Sequence, residues 1–186
     1  MYLEKVKKFV NDSFQNKFTE HFERTLYWIL KLKSDADEAL QIAAYAHDIE
    51  RANRKVEIVK KLENSPDGFL DKEFLSYHQN TGAKIIADFL RENSASKELI
   101  DRVVMLISKH EVGGNDDQNL LMDCDSISFF ETNAEGFICP EREDFNQQKV
   151  RDKFDWMYNR IFNLERKKIA KSNYEKIINE LNKING

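Results

Sequence analysis

Cysteine is scarce in this chain. Cys124 and Cys139 are the only two, and they form neither a zinc-type spacing nor a disulfide framework, so they read as reduced thiols. Proline and glycine are also few, at 2 and 6, which leaves little room for hairpin turns or long linkers and favours uninterrupted helices. No apolar run approaches the roughly 20 residues that a bilayer-spanning helix needs. Met1 to Lys8 alternates charged with apolar residues instead of forming a signal-peptide core, so the expected location is the cytoplasm, with no membrane partner. The formal charge of -4 supplies no broad basic field, which argues against a nucleic-acid polymer as the main partner.

The chain does have enough apolar residues for one substantial core: 186 residues, of which 41% are hydrophobic. Their spacing is helical throughout. Leu3, Val6, Phe9, Val10 and Phe14 share one side of a first helix over residues 2–16, and Phe18, His21, Phe22, Thr25 and Ile29 continue on a second ending near Leu32. Ser34 opens a third helix with Asp35 and Asp37 in its first turn, and His47 and Asp48 lie at its far end. Asn64 to Gly68 is the clearest turn. Further helices are expected over 71–91, 98–110 (ended by Gly113-Gly114), 120–132, 145–168 and 172–183. The expectation is a single all-α domain over 1–186, a helical bundle with no strand.

The chemistry-bearing residues lie on the apolar faces. Leu40, Ala43, Ala44 and His47 recur at helical spacing, so His47 ends a buried stripe with Asp48 directly after it. His21, His78 and His110 each fall within the apolar line of a different helix, and Asp125 shares a face with Leu121, Ser128 and Phe129. One buried histidine needs only a hydrogen bond. Four histidines with two inward carboxylates are hard to satisfy as ordinary core, because an unpaired buried charge costs several kcal/mol or more. A divalent cation resolves this, since neutral imidazole and carboxylate are its natural ligands.

The same residues carry a resemblance. The order His21, His47-Asp48, His78, His110, Asp125 resembles the HD superfamily of metal-dependent phosphohydrolases. His47-Asp48-Ile49-Glu50-Arg51 is similar to that superfamily's H-D-I-G-K segment, and His78 to Ile86 is similar to its H-x-x-x-G-A-x-I helix. Ile107-Ser108-Lys109-His110-Glu111 and Asp123-Cys124-Asp125-Ser126-Ile127 follow its next two elements, with Lys109 replacing one histidine. The resemblance covers about residues 18–132, leaving C-terminal helices over about 145–184. The G-Y-P signature and paired histidine of the cyclic-dinucleotide branch are missing, as is the H-D-x-x-E-D of the guanosine-tetraphosphate branch, so the branch stays open.

The resemblance implies an HD-type bundle in which His21, His47, Asp48 and Asp125 hold one divalent ion (Mn, Fe, Co, Ni, Zn or Mg). Asp48 would bridge to a possible second ion on His78 and His110. Such ions, about 3.5–4 Å apart, lower the pKa of a shared water and aim it at phosphorus. The implied substrate is a small phosphoester, monoester or diester, such as a nucleotide. Arg51, one turn beyond His47, is the leading cation for the phosphoryl group, followed by Arg24 and Lys109, and Glu50 is a candidate proton donor to the leaving group. Arg151, Lys153 and Arg160, interleaved with Trp156 and Tyr158, read first as core packing with a solvated face and second as a cap over the pocket. The competing functions are a non-catalytic nucleotide-sensing module and a purely structural metal site. The oligomeric state is not encoded in any of these features.

Overall fold

Six short polar side chains fix where helices begin. Asp37, Asp71, Ser96, Asn115, Asn146 and Asn163 each accept a hydrogen bond from a backbone N–H two or three residues ahead, relieving a donor that has no partner inside its helix. The computed structural model describes residues 1–54, 58, 67–143 and 145–185. Among them are α1 (Tyr2–Ser13), α2 (Thr19–Leu32), α3 (Glu38–Ala46), α4 (Lys72–Glu92), α5 (Lys97–Ile107), α6 (Asp116–Thr132), α7 (Gln147–Asn159) and α8 (Leu164–Asn182), with short 3-10 turns between them. No strand occurs among the described residues, and nearly all of their buried apolar side chains form one cluster. The chain is an all-α domain. No helix among the described residues is long and apolar enough to cross a membrane.

The bundle is organised around α6, whose residues from Gln118 to Phe130 are all buried. It packs against α2, α3 and α8, while α3 also contacts α1, α2 and α5, and α4 lies along α5. A helix enclosed on every side normally carries only apolar residues. This one carries Asp123, Asp125, Ser126 and Ser128, and each of these polar side chains has a partner described below.

Several helix boundaries differ from the sequence expectation, each for a local reason. The third helix starts at Glu38 because Asp37, not Ser34, is the cap. It stops at Ala46, so His47 is its C-cap and Asp48 begins the turn Ile49–Asn53 instead of lying on the helix. The expected helix over 98–110 ends at Ile107, leaving His110 in a turn that closes when Gly113 N–H donates to Lys109 O at 2.7 Å. Gly113 there has φ +71°, and a Cβ would sit 2.3 Å from Asn119 Oδ1, so glycine is required. The break between the last two helices lies at Arg160–Asn163, earlier than expected, because Arg160 turns into the core and Asn163 caps α8. The expected turn at Asn64–Gly68 falls mostly outside the described residues.

Candidate metal centre

The six metal-ligand candidates are delivered by five different pieces of the bundle. His21 projects from α2, His47 and Asp48 from the end of α3, His78 from α4, His110 from the turn after α5, and Asp125 from α6. All six are buried. His47 and His110 lie with ring centroids 5.1 Å apart, as do His78 and His110, and His21 stands 5.4 Å from His47. Gly82 permits this convergence: a Cβ there would approach His47 O to 3.2 Å, so the space left by the missing side chain is filled by the α3 terminus.

The hydrogen bonds orient every ring the same way. His47 Nδ1 donates to Ala44 O at 3.0 Å and His110 Nδ1 to Ile107 O at 2.8 Å. His78 Nδ1 faces Glu50 Oε2 at 2.8 Å, and His21 Nδ1 faces Ser128 Oγ at 3.0 Å. Ser128 donates its own proton to His21 O at 2.9 Å, so its oxygen accepts from the ring. A carbonyl can only accept, which fixes the proton on Nδ1 of His47 and His110. The Nε2 lone pairs of those rings then point to the centre, the arrangement that outer partners impose on metal-binding histidines.

What meets those Nε2 atoms is carboxylate. His21 Nε2 lies 3.2 Å and His47 Nε2 3.3 Å from Asp125 Oδ1, and His78 Nε2 lies 3.1 Å from Asp48 Oδ1. The His47 contact is off the line of a hydrogen bond, so His47 Nε2, like His110 Nε2, is buried without a hydrogen-bond partner. Orphaned buried nitrogens are uncommon and call for a ligand. Two sets of potential ligand atoms result, His21 with His47 and Asp125, and Asp48 with His78 and His110, the atoms in each lying within 4.8 Å of one another. The donor set of imidazole and carboxylate fits a divalent cation. Asp48 groups with His78 and His110 and not with the first set, and Arg51 Nη1 holds its Oδ2 at 2.6 Å.

The charges around this centre are tightly compensated. Burial alone would raise the Asp125 carboxyl, but Arg160, His47 and His21 hold it well below the usual range. Burial opposes ionisation of Asp48 too, and Arg51 with His78 and His47 overcomes it. Burial would lower His78, yet its contacts with Asp48 and Glu50 push it up to about 9, whereas desolvation dominates at His110 and takes it down to about 4.

Above the centre lies a cavity of about 190 Å³, with His21, Asp48, His78 and Asp125 in its lining and Arg51, Arg54, Lys153 and Arg160 around them. A second, more open cavity of about 430 Å³ adjoins it, sharing His21, Arg51, Asn133 and Phe137. Arg51 stands between the two, its side chain 34% exposed, and packs on the ring of Phe18 at 5.4 Å.

Three sequence candidates are placed otherwise than expected. Arg24 lines neither cavity: it donates to Glu131 at 2.8 Å and packs over Tyr27 on the outside of α2. Lys109 is exposed and also lines neither, because the turn that buries His110 points its neighbour outward. Glu50, expected as a proton donor, is buried beneath His78 and gripped by Arg54 through three hydrogen bonds of 2.6–3.1 Å. Burial opposes its ionisation, but His78 and Arg54 keep it a carboxylate, so its geometry is that of a group orienting His78.

Glu111 and Arg54 join the site without having been singled out for it, and Arg160, read first as core packing and second as part of a cap over the pocket, joins it as well. Glu111 stands 3.6 Å from His78 Nε2 and 3.7 Å from His110 Nε2, and Arg160 pairs with both Glu111 and Asp125. Arg54 reaches the site through Glu50. The placement of Glu111 beside His110 was a local cue, whereas Arg160 comes from a helix end 35 residues past Asp125 and was marked only by its place in the basic and aromatic stretch.

The sequence matches the DUF4202 family, a domain of unknown function, over residues 6–181. The chain belongs to the DUF4202 family. No curated protein and no solved structure shows significant similarity to it. The matched span in this DUF4202 chain includes all six ligand candidates together with Glu50, Glu111 and Arg160.

Proposed function

We propose that this DUF4202 chain is an HD-type, divalent-metal-dependent phosphohydrolase acting on a small phosphoester such as a nucleotide in the cytoplasm. One observation carries the reading: the four histidines are locked from behind through Nδ1, while two of their Nε2 atoms are buried without a hydrogen-bond partner beside Asp48 and Asp125. That centre forms the floor of a cation-lined cavity rather than a sealed shell, which favours chemistry over a purely structural metal.

His21, His47 and Asp125 would hold one cation, and Asp48, His78 and His110 would hold another. A divalent ion there supplies Lewis acidity and makes water sufficiently acidic to act as hydroxide near neutral pH. The protein groups do the rest. Arg51, at the junction of the two cavities, faces the phosphoryl position and keeps Asp48 aligned. Glu50 holds His78 in its tautomer, and Arg160 pairs with the carboxylates of both Asp125 and Glu111. In the overall reaction the oxygen of water joins phosphorus, the ester P–O bond breaks, and the leaving oxygen takes a proton. The limited inner volume and the formal charge of -4 fit a small ester better than a polymer.

The test is a panel of nucleotides, sugar phosphates and oligonucleotides assayed with manganese, cobalt or magnesium. Hydrolysis of a small ester that disappears in Asp48→Ala supports the reading. Metal binding with no turnover of any ester would favour the nucleotide-sensing alternative, and preference for oligonucleotides would overturn the substrate assignment.

A further inference from the structure

Four cationic side chains line the inner cavity, but three of them are already committed. Arg51 pairs with Asp48 at 2.6 Å, Arg54 with Glu50 at 2.6 Å, and Arg160 with Asp125 at 2.5 Å and with Glu111. Lys153 differs. Its Nζ makes no hydrogen bond or ion pair among the described residues; it lies over the ring of Trp156 at 4.7 Å and near that of Phe129 at 5.9 Å. An ammonium held on aromatic faces inside a cavity keeps its three donors available for an incoming anion.

We propose that Lys153 receives the non-bridging oxygens of the substrate's phosphoryl group, and that the site is built for the dianion of a phosphomonoester rather than for a diester. This rests on the phosphohydrolase reading for its reaction, but not for its binding step. Around the cavity, the four carboxylates of Asp48, Glu50, Glu111 and Asp125 are matched by Arg51, Arg54, Arg160 and Lys153 together, so a bound divalent cation is the surplus positive charge. A monoester carries a charge of about -1.5 to -2 near neutral pH and matches that surplus. A diester carries a single negative charge and matches it less well. Lys153 reaches the cavity from α7, so that helix contributes to substrate recognition as well as to the packing of the core.

The experiment titrates inorganic phosphate calorimetrically into manganese-loaded wild-type protein and into Lys153→Met, whose side chain retains the length that packs on Trp156. Equal metal content and equal thermal unfolding show that the variant is intact; if the methionine does not fold, Lys153→Gln makes the same comparison. Phosphate binding roughly tenfold or more weaker in the variant is expected, from loss of a charge-assisted contact. In parallel, p-nitrophenyl phosphate should be hydrolysed faster than bis-p-nitrophenyl phosphate by wild type, with the variant losing that preference mainly through KM. If wild type binds phosphate through Lys153 yet hydrolyses neither ester, the phosphohydrolase reading fails while the anion site stands. Equal phosphate affinity in the two proteins, or no phosphate binding by wild type, overturns the assignment of Lys153. Faster hydrolysis of the diester overturns the monoester selectivity.

Discussion

Arg160, from the turn that ends α7, donates to the carboxylate of Asp125 at 2.5 Å, on the opposite oxygen from the one that faces His21 and His47. Its other nitrogens reach Glu111 and Ser126. The C-terminal part of the chain is therefore wired into the centre that the earlier helices assemble.

Arg160→Met should destabilise the metal-free protein by about 3–5 kcal/mol, because it leaves Asp125 and Glu111 buried without their cation. Added divalent metal should recover part of the loss by supplying another positive charge to Asp125. Urea unfolding with and without manganese measures both numbers, and an unchanged midpoint in the metal-free variant would show that Arg160 is not needed to neutralise the pair.

The two aspartates of Asp123-Cys124-Asp125 should separate cleanly. Asp123 accepts from the N–H groups of Phe162 and Asn163 at 2.7 and 3.1 Å and pairs with Arg166, so it anchors the link between α7 and α8. Asp123→Ala should cost about 1–3 kcal/mol of stability for the donors left unpaired and leave metal stoichiometry unchanged. Asp125→Ala should abolish binding at the His21 and His47 position. Loss of metal in Asp123→Ala with the fold intact would contradict this division.

The division also shows what could be read in advance. Helical periodicity gives the all-α class, the inward stripes and the six ligand candidates, because those signals are local and repeat every three or four residues. The helix ends were less legible: Asp37 outcompetes Ser34 as a cap, and Ile107 ends α5 before His110. Long-range pairing was least legible. Arg24 looked well placed one turn after His21, yet Glu131 on α6 draws it outward, and Glu50 looked catalytic until Arg54 and His78 claimed its oxygens. No spacing rule announces a partner more than one hundred residues away, as in the bond from Ser128 to His21 across 107 positions.

Glu50→Gln should preserve the fold but weaken metal binding roughly tenfold to a hundredfold, since it removes the carboxylate that orients His78 from behind. Competition against a chelating dye gives the affinity. Wild-type affinity in this variant would mean that His78 is positioned by packing alone.

Gly82→Ala should cost about 1–3 kcal/mol and reduce metal affinity with it, because the added methyl meets His47 O at 3.2 Å and pushes the end of α3 away from α4. The same exchange at Gly136, where a Cβ would meet nothing within 4 Å, is the control and should have little effect on either measurement. Thermal unfolding and metal titration of the two variants, side by side, decide the point.

The most direct test of the account is a cobalt titration of the metal-free protein, followed by visible absorption and by thermal unfolding. Nitrogen and oxygen ligands should produce saturable d–d bands with at least one equivalent bound per chain. Unfolding should shift upward as the site fills, because binding to the folded state alone stabilises it. The bands should be lost in the double variant His47→Ala, His110→Ala. A folded wild-type protein that binds no cobalt, manganese or zinc, and whose unfolding temperature ignores all three, would contradict the account at its centre.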